Sequence, residues 1–189
     1  MSDDIRNLFD QSADLIRRSG DCLADDIGRA ARIVIDAFRS GRAVFVFGNG
    51  GSAADAQHIA AEMVGRFRRD RSAFRAEALT TDTSALTAIG NDLGFEQVFA
   101  RQLAGKGAAG DVAMAISTSG NSPNILTALA AARQMGMKCI ALTGRGGGKC
   151  APLADVLLAV PSTDTPRIQE SHEVIYHVLC ELVESAMVD

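Results

Sequence analysis

The stretch AVFVFGNGGS, residues 43–52, decides the fold of this 189-residue chain. Residues 43–47 are all apolar and favour β structure, and glycine ends the run. A short apolar run bounded by glycine is typical of a strand buried inside a parallel sheet. We therefore predict a strand that leads through a glycine-rich turn into a helix over residues 52–67.

Further strands and helices alternate outward from this segment. Apolar, β-favouring runs predict four more strands, at residues 77–81, 111–116, 139–142 and 156–160. Helical spacing predicts three more helices, at residues 84–103, 123–135 and 168–187. Strands joined by helical crossovers run parallel, and right-handed crossovers place helices on the sheet. The expected fold is α/β, a doubly wound five-stranded parallel sheet flanked by helices.

The first forty residues lie outside this alternation and form an N-terminal helical extension. Gly20 is expected to break or bend the helix, and Gly41 to end it. The apolar surface of this segment needs a partner, either the chain's own sheet or a second copy of the chain. We favour the second copy, so residues 1–40 are expected in a subunit interface. The chain length fits one domain, residues 1–189.

The composition excludes several classes of protein. The chain has 19 Lys and Arg residues against 23 Asp and Glu residues, so its net charge of −4 does not favour nucleic acid. With 47% hydrophobic and 22% charged residues, the chain is globular rather than disordered. Aromatic residues make up 5% and Trp is absent, which argues against stacking on single-stranded nucleic acid.

The sequence also indicates a cytoplasmic protein. Its first residues, MSDDIR, lack the cationic and apolar regions of a signal peptide. No apolar run approaches the roughly 20 residues of a membrane span. The four cysteines have no paired spacing, and we expect them to be reduced; they are Cys22, Cys139, Cys150 and Cys180.

Two loops after predicted strands have a composition suited to phosphate. Residues 48–52 (GNGGS) follow the first strand, and residues 117–123 (STSGNSP) follow the third. Doubly wound sheets bind ligands beyond the carboxyl ends of their strands, where helix N-termini, glycines and hydroxyls converge. The two loops could therefore grip the two ends of a small phosphorylated metabolite.

Two other interpretations of these loops stay open. Glycine and serine also serve in ordinary turns and caps, and Ser122 followed by Pro123 is a good helix start. The pattern Gly48-x-Gly50-x-x-Ala53 matches a relaxed dinucleotide fingerprint, with Asp82 as the ribose-binding acid. That match is weak, because the hydroxyl-rich loop has no place in the dinucleotide pattern.

The three histidines point to a second kind of chemistry. His58 and Glu62 are four residues apart on a predicted helix, so imidazole and carboxylate share one face. They could bind a divalent ion or form an ordinary surface pair. In the last predicted helix, His172 is open to a solvated or structural role, and His177 to the role of a core histidine.

Gln169 and His177 raise a question of geometry. They are eight residues apart, which is about 12 Å of rise on a regular helix. At that separation they cannot ligate one ion from one chain. Either the helix begins after Gln169, or a joint site takes one of the two residues from a neighbouring subunit.

Four separated segments resemble a known family. They are FGNGGSAADAQH at residues 47–58, AIGND at 88–92, ISTSGNS at 116–122 and RIQESH at 167–172. Together they resemble the sugar isomerase (SIS) domain, and more narrowly the phosphoheptose isomerases. These enzymes convert sedoheptulose 7-phosphate to D-glycero-D-manno-heptose 7-phosphate, the first step of ADP- or GDP-heptose biosynthesis for surface glycans.

This resemblance implies a set of functional residues and partners. It implies a cytoplasmic homotetramer with active sites between subunits and one divalent ion, usually zinc, per subunit. Glu62 and His177 would be the acid–base pair. The metal ligands would be His58, Glu62, Gln169 and His177. The substrate would be bound by Glu62 and Gln169, with Arg66 as a further contact, and by Asn49, Gly50, Gly51, Ser52, Asn91, Asp92, Ser117, Thr118, Ser119 and Ser122.

The chemistry of such a reaction suits these residue types. Moving a carbonyl from C2 to C1 requires a base that takes one proton and an acid that returns it through an enediol. We expect Glu62 to remove the C1 proton of the open-chain ketose and His177 to handle protons at the oxygens. A metal would stabilise negative charge on oxygen, and the serine loop would supply remote binding energy through the phosphate.

Two alternatives remain at this point. Relatives of these isomerases act as non-catalytic tetrameric binding proteins for the bacterial replication initiator, and those proteins tend to lack the acid at the position of Glu62. The presence of Glu62 and His177 therefore favours the enzyme. A phosphosugar-sensing regulatory domain usually accompanies a DNA-binding module, for which this chain has no room.

Overall fold

The computed structural model describes residues 1–188. Its five strands are β1 (Val44–Gly48), β2 (Ala76–Ala78), β3 (Val112–Ser117), β4 (Lys138–Thr143) and β5 (Val156–Ala159). Its six α-helices are α1 (Ser2–Arg39), α2 (Gly51–Val64), α3 (Thr83–Leu93), α4 (Ala100–Lys106), α5 (Pro123–Gln134) and α6 (Thr165–Met187). Two 3-10 helices complete the described secondary structure, at Phe95–Gln97 and Gly148–Leu153.

All strand pairs in the sheet are parallel, in the order β2-β1-β3-β4-β5. In the centre, Val46 pairs with Ala78 on one side and with Met114 on the other. From β1 the chain adds β2 on one side of the sheet and then β3, β4 and β5 on the other, so the strand order reverses between β1 and β3. Ligands of such sheets bind at this reversal. The predicted fold class is confirmed.

Helices pack on both faces of the sheet, so β1 and β3 are buried on both sides. Val44 and Val46 point into a core that includes Leu179 of α6. Their neighbours Phe45 and Phe47 point into a second core that includes Leu129 of α5. The apolar run at residues 43–47 therefore fills both layers, as expected for a central parallel strand.

Helix α1 divides into an exposed beginning and a buried remainder. Phe9 is 74% exposed, whereas Leu23 and Val34 are buried against α6 and the sheet. The expected break at Gly20 is wrong, since α1 continues through that residue. A helical glycine costs about 1 kcal/mol relative to alanine, and the burial of the residues after Gly20 offsets that cost.

Several other boundaries differ from the prediction. Helix α2 ends at Val64 rather than at residue 67, and β2 spans Ala76–Ala78 rather than residues 77–81. The helical stretch predicted at residues 84–103 is divided, because Gly94 has a φ of +92° and ends α3 there. The last helix begins earlier than predicted, at Thr165, and Pro166 lies in its first turn, where proline is favoured. Gln169 is therefore inside α6.

The described residues also bear on the cysteines and on membranes. All four cysteines are free, and burial raises the pKa of the Cys180 thiol to about 12. A protonated, buried thiol of this kind is inert. None of the helices within residues 1–188 combines the length and apolar character required to cross a membrane.

Candidate active site

The two predicted phosphate loops meet at the reversal in strand order. The Nδ2 atom of Asn49 donates to Oδ1 of Asn124 at 2.9 Å, and Nδ2 of Asn124 donates back to Oδ1 of Asn49 at 2.8 Å. This reciprocal amide pair ties the loop after β1 to the first turn of α5. Asn124 was not predicted from the sequence, because only its position after the helix-starting Ser122-Pro123 pair marked it.

The hydroxyl-rich loop is compact and faces the N-terminus of α5. Its two ends approach each other, with 3.3 Å between the hydroxyl oxygens of Ser117 and Ser122. Gly120, at a φ of +63°, allows the loop to fold against the segment after β4, because an added Cβ would lie 2.1 Å from the oxygen of Gly147. Thr118 and Ser119 lie between these points, half-buried and exposed respectively.

Gln169 contacts the glycine loop from the first turns of α6. A Cβ added to Gly51 would lie 2.5 Å from Nε2 of Gln169, so a larger residue there would displace the end of this side chain. Since α6 contains both Gln169 and His177, the two lie about 12 Å apart along one helix axis. The alternative that the helix begins after Gln169 is wrong.

Helices α2 and α6 bring the histidine pair and a third side chain together. His58 Nε2 lies 3.1 Å from Glu62 Oε1 and 3.5 Å from His177 Nε2. The three side chains offer ligand atoms that all lie within 4.8 Å of one another. All three are partly exposed, so the cluster is open to a ligand.

The donor set of this cluster fits a divalent metal ion. Two imidazole nitrogens and one carboxylate oxygen are ligands that zinc accepts. Three protein ligands leave a position free for a fourth ligand or a substrate oxygen, as in catalytic rather than structural zinc sites. His58, Glu62 and His177 can therefore hold one such ion.

Acidic and phenolic groups surround His58 on its other side. The hydroxyl of Tyr176 lies 3.0 Å from His58 Nδ1, and the Tyr176 side chain is buried. Asp55, one turn earlier on α2, has a buried Oδ2 atom without a hydrogen-bond partner among the described residues. Burial, reinforced by the negative charge of Glu173, raises the pKa of Asp55 to about 6, although His58 opposes the shift.

A buried ion pair between Glu184 of α6 and Arg71 fixes the end of α2. The Glu184 carboxylate accepts the backbone N–H groups of Phe67, Arg68 and Arg69 at 2.8–3.0 Å, and Nε of Arg71 at 3.1 Å. Arg71 also donates to the main-chain oxygens of Glu62 and Met63, at 2.7 and 2.9 Å. This Arg71–Glu184 clamp gave no sequence signal, because its members come from distant segments.

Comparison with known proteins identifies the relationship. The SIS domain profile matches residues 7–144. A phosphoheptose isomerase of Rhodospirillum rubrum is 51% identical over 187 residues, which cover 99% of each chain. The chain belongs to the phosphoheptose isomerase family of SIS domain proteins.

Solved structures of phosphoheptose isomerases have the same fold along nearly the whole chain. The enzyme from Neisseria gonorrhoeae superposes with a TM-score of 0.92 at 45% identity, covering 97% of this chain and 98% of that one. The enzyme from Francisella tularensis gives 0.93 at 38% identity, covering 97% of both chains. The predicted resemblance is confirmed.

Three further predicted residues lie on the surface of the chain. Arg66, after α2, and Asn91 and Asp92, on α3, are all exposed. Asn91 Nδ2 donates to Asp92 Oδ1 at 2.7 Å, and α3 has no buried residue. Within residues 1–188, no hydrogen bond joins these three to His58, Glu62 or His177.

Two residues that were open to other interpretations have structural contacts. The Asp82 carboxylate accepts the N–H of Ala85 at 2.9 Å, so Asp82 caps α3. His172 is fully buried and donates from Nε2 to the main-chain oxygen of Thr143 at 3.1 Å. Burial lowers the pKa of His172 to about 4, so this histidine is a neutral structural partner rather than a solvated group.

Proposed function

We propose that this protein is a phosphoheptose isomerase that converts D-sedoheptulose 7-phosphate to D-glycero-D-manno-heptose 7-phosphate. The observation that carries the proposal is the cluster of His58, Glu62 and His177, in a chain whose two loops suited to phosphate and sugar meet at the reversal in strand order. The relatives described above bear the name of this enzyme. They give no support to the alternative of a binding protein for the replication initiator.

The two loops divide the substrate between them. The hydroxyl loop at the start of α5 binds the phosphate through Ser117, Thr118, Ser119 and Ser122, since amides and hydroxyls there donate to anionic oxygens. The glycine loop binds the other end of the sugar through Asn49, Gly50, Gly51, Ser52 and the adjacent Gln169. The exposed Arg66, Asn91 and Asp92 supply further substrate contacts.

Glu62 and His177 transfer the protons of the reaction. Glu62 takes the C1 proton of the open-chain ketose and returns a proton at C2 of the enediol, which gives the aldose. His177 moves the proton between the oxygens on C1 and C2. A divalent ion such as zinc, when bound, supplies a Lewis acid for the negative charge on those oxygens. The serine loop keeps the phosphate fixed while the protons move.

The metal ligands are drawn from two chains in this proposal. His58, Glu62 and His177 of one chain hold the ion, one per subunit. Gln169 of the same chain lies about two turns away, so a neighbouring subunit supplies the Gln169 that completes the ligand set. The apolar, exposed start of α1 gives such a subunit a surface to cover, in a cytoplasmic homotetramer.

The direct test is turnover of sedoheptulose 7-phosphate, followed by NMR, with and without zinc. We expect the wild type to form the aldose and Glu62→Gln to lower kcat by about 10²- to 10⁴-fold, the usual contribution of a general base. Glu181→Gln is the matched control. Glu181 lies near the C-terminal end of α6, and its carboxylate makes an exposed ion pair with Arg68.

The outcomes of this test separate the roles. Turnover that survives in Glu62→Gln would keep the reaction and remove Glu62 as its base. No turnover by a folded, zinc-loaded wild type would overturn the isomerase. Deuterium from solvent at C2 of the product is expected for an enediol, whereas complete retention of the substrate proton would favour a hydride shift or a shielded base.

A further inference from the structure

Two consecutive residues of α6 contact His58 from opposite sides of its ring. His177 Nε2 lies 3.5 Å from His58 Nε2, and the Tyr176 hydroxyl lies 3.0 Å from His58 Nδ1. We propose that Tyr176 is a positioning residue that fixes the orientation of His58 for metal binding, as a hydrogen-bond donor to the metal-free ring and as an acceptor when the ring ligates a metal. The inference rests on the proposed metal site and deepens it.

The surroundings of Tyr176 make this contact specific. Its side chain is 1% exposed and among the largest fully buried side chains of the protein. The phenol has no other hydrogen-bond partner within residues 1–188, so its polar atom is directed at one ring nitrogen. A buried hydroxyl that loses its partner is destabilising, so this contact matters to the fold as well as to the site. The two rings meet edge to face, with 5.4 Å between their centroids and 70° between their planes.

The proton on His58 is set by its two neighbours. An ionised carboxylate only accepts hydrogen bonds, so Glu62 requires the proton on Nε2 of a neutral, metal-free His58. The lone pair on Nδ1 then accepts the hydroxyl proton of Tyr176. When Nε2 serves as a metal ligand, the ring proton must lie on Nδ1, and the same hydroxyl oxygen can accept it.

A hydroxyl serves both tautomers because it can donate and accept. Phenylalanine keeps the ring that packs between α2 and α6 but offers neither a donor nor an acceptor. Tyr176→Phe therefore separates the hydrogen bond from the packing. Ser171→Ala is a matched control, since Ser171 is also buried on α6 and its hydroxyl donates to the main-chain oxygen of Arg167 at 2.9 Å.

The first measurement needs no variant and no metal. The chain has three histidines, so ¹⁵N NMR of the zinc-free wild type resolves the tautomer of each. We expect His58 to carry its proton on Nε2 and to accept at Nδ1. A His58 with its proton on Nδ1, or with the two tautomers mixed, would overturn the inference.

The second measurement is the zinc dissociation constant, by competition with a chelator. We expect Tyr176→Phe to weaken zinc binding by about 10- to 100-fold, the usual effect of losing a hydrogen bond to a metal-ligating histidine. Ser171→Ala should bind zinc as the wild type does, with a comparable loss in melting temperature. Equal zinc affinity in Tyr176→Phe and the wild type would overturn the inference while leaving the isomerase intact. Failure of the wild type to bind zinc would instead overturn the proposed metal site.

Discussion

Two glutamates lie between α2 and α6 in opposite environments. Glu184 is buried with Arg71, each side chain 4% exposed, and its oxygens accept three backbone N–H groups and the guanidinium. Glu62 is 22% exposed, and the only side chain bonded to its carboxylate among the described residues is His58. Glu62 belongs to α2 and Glu184 to α6.

The difference shows what frees a carboxylate for chemistry. Every strong acceptor position of Glu184 is used, so that group can only hold the chain in place. The carboxylate of Glu62 retains lone pairs and solvent access, so it can bind a cation or take a proton. The clamp serves the site as well, because Arg71 binds the main-chain oxygen of Glu62 and so fixes the end of α2.

The largest expected effect is on stability, from Glu184→Gln. The change leaves the Arg71 guanidinium buried without its counter-ion, and breaking a buried pair costs about 3 to 5 kcal/mol. Urea denaturation of the metal-free protein measures this loss. Glu62→Gln should change the free energy of unfolding by less than about 1 kcal/mol. Equal losses in the two variants would mean that the clamp and the site are not distinct.

The next effect is on zinc binding, from His177→Asn. This change removes a proposed metal ligand. Zinc affinity should therefore fall further than it does when a residue that only hydrogen-bonds to a ligand is lost, which costs about 10- to 100-fold. The melting temperature of the metal-free protein should change little, because His177 is only partly buried. Chelator competition measures the affinity. Unchanged affinity would show that His177 acts without contacting the metal.

Acid should weaken the clamp, but only at a pH below the usual titration range of a glutamate carboxyl. Burial alone would raise the pKa of Glu184, but hydrogen bonds from Arg68, Phe67 and Arg69 and the charge of Arg71 outweigh it and hold the pKa below its usual value. A folded pKa below the unfolded one stabilises the protein above the unfolded pKa, and that stability is lost as pH falls through the folded pKa. The difference in unfolding free energy between wild type and Glu184→Gln should therefore shrink in acid. A constant difference would contradict this.

The smallest expected effect has the opposite sign and comes from Asp55. Its pKa is raised to about 6 by burial and by Glu173. A raised folded pKa means that this group contributes less stability as pH increases from about 4 through 6. Asp55→Asn should therefore stabilise the metal-free protein at pH 8, by about 1 kcal/mol after screening by solvent, and hardly at all at pH 4. Thermal unfolding with a chelator present tests this, and a stabilisation that is equal at both pH values would contradict it.

The fold could be predicted from the sequence because its signals are local. The run at residues 43–47 is apolar at every position, which only a strand buried on both faces requires. Because the predicted strands alternate with helices, a parallel sheet followed. The carboxyl ends of parallel strands share one edge of the sheet, so both loops were expected at that edge. Two of the errors fell at glycines, since the helix continues through Gly20 but ends at Gly94. A glycine permits either outcome, and packing of the flanking segments decides between them.

The site was predictable only where its residues are neighbours in sequence. His58 and Glu62 share a face because helix geometry places residues four apart together. The contact of His58 with His177, 119 residues away, exists only because α2 and α6 pack on the same face of the sheet. The same packing brings Tyr176 to His58 and Glu184 to Arg71. The sequence alone therefore determined which elements form and which chemistry they carry, since both follow from local spacing. The tertiary structure decided which side chains meet, because that depends on how the apolar faces of distant helices are buried together.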